Sequence, residues 1–182
     1  MKKLPLLIGG LVLFFTINCR EIVNSVLDVL PPFDVPYSKS LDVPFAIVSA
    51  TEFTRTPEIA MNIDLDAKIK EKKPNLSIKN LKSVKMNTLS LNYVSSKLGN
   101  KLELIKNAKI YLKAPNQEER LIATSFNNTD PNTIIFNVND EEILEYFRTT
   151  ENSLIFEIQA SNKSTDVIKI KGISGFKIKI KL

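Results

Sequence analysis

The chain has 182 residues, 25 Lys+Arg against 20 Asp+Glu, a net charge of +5, one cysteine, no histidine and no tryptophan. Those counts exclude a Ser-His-Asp triad, a Cys-His dyad, a histidine metal site and an intrachain disulfide. A hydrophobic fraction of 43% supplies one real core and excludes a wholly disordered chain.

The N-terminus differs from the rest. Lys2 and Lys3 precede an uncharged stretch from Leu4 to Ile17, 14 residues long, and the only cysteine, Cys19, follows directly. Crossing a bilayer core takes roughly 20 helical residues, so the stretch has the length of a signal-peptide h-region. The arrangement resembles a bacterial lipoprotein signal, with Thr16-Ile17-Asn18-Cys19 as the lipobox. Thr16 stands where Leu is usual and Asn18 where Gly or Ala is usual. The resemblance implies removal of residues 1–18, lipidation at Cys19 (diacylglyceryl on the thiol and usually an acyl chain such as palmitate on the new amine) and stable membrane attachment through more than one chain. Arg20 in place of Asp implies the outer membrane, facing the periplasm or the cell surface. Processing would leave 23 basic and 20 acidic residues, +3.

Residues 19–40 are expected to form the lipidated N-terminus and a tether. Ile22, Val23, Val26, Leu27 and Leu30 have helical spacing that Pro31-Pro32 would end. The triplet Asp-Val-Pro then occurs at 34–36 and again at 42–44, each proline favouring extended backbone before it. The expected role is a semi-stiff spacer. Phe33 and Tyr37 are apolar for a linker and are candidates for docking a partner; an edge strand is a third reading.

Residues 41–182 are expected to be one domain. Period-two alternation runs through 59–65, 108–114, 134–138, 154–160 and 168–182, which means strands with one buried and one wet face. Gly172-Ile173-Ser174-Gly175 predicts a bulge, bend or turn, and the change of face between Val84/Met86 and Leu89/Leu91/Tyr93 predicts a bulge near Asn87-Thr88. A helix is predicted at 140–148, with Asn139 as cap, Glu142 completing a capping box, and Ile143, Leu144 and Phe147 facing the sheet. A second short helix is expected at 66–72 or 77–83. With no helix long enough for parallel crossovers, the fold class is all-β: a mainly antiparallel β-sandwich, immunoglobulin-like or jelly-roll-like, with one or two short helices. The Cys19 signal, with the run from Leu104 to Leu112 and from Asp140 to Phe147, is similar to small β-sandwich lipoproteins of bacterial envelopes, many without assigned function. That resemblance implies a hairpin, a short capped helix, terminal strands and no catalytic residues.

The search for chemistry yields no catalytic residue, no metal ligand set and no cofactor site. Asp64 and Asp66, and the cluster Asp140, Glu141 and Glu142, are read as solvated or capping carboxylates, and the five glycines form no phosphate loop. Lys169, Lys171, Lys177, Lys179 and Lys181 share one strand face and are candidates for surface contact. With four arginines, none in that strand, nucleic acid is not an expected partner. The expected function is a non-enzymatic, lipid-anchored accessory or adaptor subunit of a membrane-associated assembly, with the membrane and an envelope protein as partners. The alternatives are a carrier of a lipid or other apolar ligand, and a module binding surface glycan or protein.

Overall fold

The computed structural model describes residues 32–44 and 51–180. The expected signal segment and Cys19 lie outside the described residues, as does Lys181.

Among the described residues ten strands form two antiparallel sheets packed as a sandwich. The first sheet holds β1 (Phe33–Pro44), β4 (Leu81–Ser96), β7 (Thr133–Ile135) and β10 (Val167–Ile180), in the order β1-β10-β4-β7. The second holds β2 (Thr54–Arg55), β3 (Ile59–Ala60), β5 (Ile105–Lys113), β6 (Arg120–Ser125), β8 (Asn137–Val138) and β9 (Ser153–Ala160), in the order β2-β9-β5-β6-β8, with β3 also on β9. The alternation in β5, β9 and β10 sends Ile110, Leu112, Phe156, Ile158, Ile168, Ile170, Phe176 and Ile178 into one buried cluster between the sheets.

β1 alters the expected domain boundary. It pairs with β10 from Phe33↔Ile178 to Pro44↔Val167, so residues 33–40 belong to the sheet and not to a spacer. Pro36 and Pro44 share one parity in this edge strand, and an edge strand tolerates proline where its nitrogen points away from the partner.

The glycine-serine segment of β10 does not turn. The strand runs unbroken, with Gly172 and Ser174 as small residues on the inward parity. The irregularity lies across from it. Gly175 pairs with Thr88 while Phe176 pairs with Met86, so Asn87 is the extra residue of a bulge in β4. A Cβ on Gly175 would come within 2.4 Å of Asn87 Oδ1 and 2.7 Å of Thr88 Oγ1. The Asn87 side chain crosses over this glycine to donate 2.9 Å to Asp34 Oδ1 on β1.

Three further expectations are corrected. The alternation at 59–65 is a strand only over Ile59–Ala60; Leu65–Lys72 is an α-helix, α1, that buries Leu65 and Ile69. The expected strand at 134–138 is two strands. Phe136, 4% exposed, carries the chain from β7 in the first sheet to β8 in the second. The helix expected at 140–148 is a 3-10 turn at Leu144–Phe147. Glu142 Oε1 accepts from the amides of Val84 (2.8 Å) and Leu144 (3.0 Å), and the Ile143 amide donates to Val84 O. These bonds hold residues 142–143 against β4 in place of a first helical turn. Ile143, Leu144 and Phe147 are buried as expected.

One loop hangs on a buried carboxylate. Asp166, 1% exposed, accepts from the amides of Lys97, Leu98, Asn100 and Val167 and from Asn100 Nδ2, at 2.8–3.3 Å. Burial pushes its pKa up. The bonds from the Asn100 side chain and from the Leu98, Val167 and Asn100 amides outweigh that, and the carboxyl sits below its ordinary value. A lowered folded-state pKa gives stability that is complete above the ordinary carboxylate pKa and lost as pH falls through the folded value. Denaturant midpoints measured from neutral pH down to about pH 3 should therefore fall on the acid side, and Asp166→Asn should flatten part of that fall while lowering the neutral midpoint. An unchanged acid profile in Asp166→Asn would remove the carboxylate from this role.

Candidate functional site

Lys169, Lys171, Lys177 and Lys179 stand exposed on the outer face of β10. β10 lies between β1 and β4, so these lysines occupy the middle of the first sheet and not its rim. None of the four closes an ion pair or hydrogen bond with a described residue. Asp34 is in register with Lys177, and Asp42 with Lys169. Asp140, bonded to Lys85 Nζ at 2.9 Å, is held below its ordinary pKa chiefly by that lysine, with Lys177 and Lys179 adding to the field. The same outer face carries Ile173 (37% exposed), which pairs with Ser90, which pairs in turn with Ile135 (77% exposed) on β7.

Phe33 and Tyr37 both lie on β1, half-buried, and pack against the domain's own core. The Tyr37 hydroxyl donates to Met61 O at 3.2 Å, and burial raises its pKa. Lys39 Nζ donates to Ala60 O (2.9 Å) and Met61 O (2.8 Å). This row of side chains joins β1 to the 60–61 segment of the opposite sheet.

The carboxylates singled out in the sequence have structural partners. Asp64 caps α1 by accepting from the Ala67 amide at 2.9 Å. Asp66 accepts from the Ile78 amide at 2.7 Å and pairs with Lys70 at 2.5 Å, and the Lys70 bond is the main cause of its lowered pKa. Glu141 pairs with Arg120 at 2.7 Å.

A second outer-face feature has no signal in the sequence. On β2, β5 and β9, Arg55 pairs with Glu119 and with Glu157 (3.1 Å); Lys113 reaches Glu119 and Glu58 (both 3.5 Å); Tyr111 donates to Glu157 at 3.0 Å. The Arg55 guanidinium lies 5.3 Å from the Tyr111 ring centroid, and Lys109 Nζ 4.4 Å from that of Phe53. The hydrogen bond between Arg55 and Glu119 is the main cause of a raised pKa in the first and a lowered one in the second. Tyr111 is raised, first by burial and then by Glu157. Opposite charges thus neutralise one another here. Ile155 pairs with Tyr111 in the middle of this layer and is only 2% exposed, so the long side chains cover apolar surface.

At one end of this layer an open cleft of about 540 Å³ is lined by Glu58, Asn62, Lys113, Asn116, Gln117 and Glu151, among others. Asn62 and Asn116 both have positive φ, 51° and 60°. The lining offers amide and carboxylate groups suited to hydrogen-bonding a polar molecule. Among the described residues no cluster of three or more carboxylate or cysteine ligands is placed to hold a metal ion, and no helix is long and apolar enough to cross a membrane.

No protein-family model matches the chain, and no curated protein matches it either.

Proposed function

We propose that the protein is a lipid-anchored, non-enzymatic component of a bacterial envelope, an accessory or adaptor subunit of a membrane-associated assembly at the outer membrane. The observation that carries this reading is Cys19, the only cysteine, directly after a basic pair and a 14-residue uncharged stretch. The charged groups of the domain support a scaffold. Asp64, Asp66, Asp166 and Glu142 hold backbone amides, and Arg55, Lys113, Glu119 and Glu157 pair with one another.

Metabolic labelling with a fatty acid tests the anchor. The wild-type chain takes up label and Cys19→Ala takes up none, with the protein shifting from the membrane to the soluble fraction. Label that survives the substitution overturns Cys19 as the attachment site. Affinity purification in mild detergent tests the adaptor role; recovery of the chain alone counts against it.

The polar cleft at Asn62 and Asn116 favours a second reading, a module binding glycan or protein at the surface. The carrier reading has less behind it, since side chains of both sheets meet in a single buried cluster between them.

A further inference from the structure

The two outer faces of the sandwich handle charge differently. On the second sheet, Arg55, Lys109 and Lys113 sit in contact with Glu58, Glu119 and Glu157. On the first, four lysines project from β10 with no partner in contact among the described residues, around the exposed Ile173 and in the same face as Ile135. Lysines that guard against strand-to-strand aggregation belong on sheet edges. β10 is flanked on both sides, so edge protection does not account for them. From Lys169 to Lys179 the strand spans about 33 Å, so the row runs the length of the sheet. Asp34 and Asp42 lie beside two of the four charges, Asp34 is already bonded by Asn87, and Asp140, which lies within the field of Lys177 and Lys179, is already paired with Lys85.

The position of the tether selects the occupant. The chain enters the sheet at Phe33, opposite Ile178, between the Lys177 and Lys179 positions of the neighbouring strand. From Arg20 to Pro32 the backbone can span at most about 45 Å even when fully extended. Attachment at Cys19 would therefore keep this end of the lysine row within about 45 Å of the bilayer surface.

The geometry points to the outer face of the first sheet as a membrane-contact face: Lys169, Lys171, Lys177 and Lys179 meet anionic phospholipid head groups while Ile173 and Ile135 settle toward the interface. This rests on the anchor reading above and deepens it, because it fixes which way the domain faces. Basic side chains near an anionic surface are drawn to it within about a Debye length, and apolar side chains among them add contact at the head-group boundary. A domain lying on this face directs the opposite face, with its paired charges and polar cleft, away from the membrane.

The test uses the full chain with vesicles of phosphatidylcholine alone or mixed with phosphatidylglycerol, amine labelling mapped residue by residue, and Lys109 and Lys113 on the opposite face as internal references. The four lysines should label several-fold more slowly on the anionic vesicles, with the references unchanged and the difference abolished by high salt. The variant carrying Lys→Gln at 169, 171, 177 and 179, checked by circular dichroism to be folded, should lose any preference for anionic over neutral vesicles. Flotation with neutral vesicles reports the anchor separately. A chain that floats only with anionic vesicles, and protects the four lysines there, loses the anchor reading and keeps this face. Equal labelling of the four lysines on both vesicle types overturns the face even if the chain floats with both. Protection found on native membranes but not on vesicles also overturns it and assigns the lysines to an acidic macromolecule.

Discussion

Replacing Asn152 with alanine should remove about 3 kcal/mol or more of folding stability, a large part of what a domain of this size possesses. Asn152 has no exposed surface, and its side chain imitates a neighbouring strand. Oδ1 accepts from the Ile63 amide at 3.1 Å, while Nδ2 donates to Ile63 O at 3.2 Å and to Thr149 O at 3.1 Å. The Asn152 carbonyl also accepts from the Met61 amide at 2.9 Å. Asn152 thus holds both Met61 and Ile63 of the segment between β3 and α1, and Ile63 itself is 1% exposed. Truncation leaves both backbone groups of Ile63 without their partner, and each buried unpaired group costs about 1–3 kcal/mol. Urea unfolding should show a lower midpoint with an unchanged slope. Asn152→Asp should also be destabilising at neutral pH, because it sets a carboxylate against the Ile63 and Thr149 carbonyls where the amide nitrogen stood. A loss below about 1 kcal/mol in the alanine variant would show that water replaces the amide at no great expense and that the segment has other support.

Nothing in the local sequence announced Asn152, or Asp166. Both are polar residues beside turn-forming neighbours, where solvent exposure is the ordinary expectation. Their importance comes from backbone groups 89 and 66–69 residues away in the chain. Periodicity reports a different property, which face of a strand is apolar, and it served well wherever that face decides structure. β5, β9 and β10 lie where their alternation placed them, and the change of parity along β4 located the bulge at Asn87. The errors fall where two local signals competed. The prolines at 36 and 44 read as a spacer, yet the inward parity of Val35 and Tyr37 suits an edge strand that tolerates proline. Asn139 and Glu142 have capping-box spacing, but β4 and β6 claim both: Glu142 accepts from the Val84 amide, and the Asn139 amide donates to Ile122 O. The charged layer over Ile155 was invisible for the same reason as Asn152. Arg55, Glu119 and Glu157 come from three separate parts of the chain. The lysine row, by contrast, was plain in the sequence; its place in the middle of a sheet, with Ile135 arriving from another strand, was not.

Phe176→Ala should be the most damaging substitution in β10, removing about 3–5 kcal/mol. The ring is 1% exposed and meets Phe147 edge-on, centroids 5.1 Å apart at 73°. Phe147 belongs to the 3-10 turn at Leu144–Phe147, which follows β8 of the second sheet, whereas Phe176 lies in the first. The pair fastens this turn, which Glu142 and Ile143 already hold against β4, to β10 next to the β4 bulge, where the register changes between Gly175 and Phe176. Truncation loses the transfer energy of a buried aromatic and leaves a cavity, because the bulge and the fixed turn restrict collapse around it. A double-mutant cycle with Phe147→Leu separates the two effects. A coupling energy of about 0.5–1.5 kcal/mol is expected if the edge-to-face contact contributes beyond simple burial. Strict additivity would mean that the two rings fill space independently and that the turn is held by Glu142 and Ile143 alone.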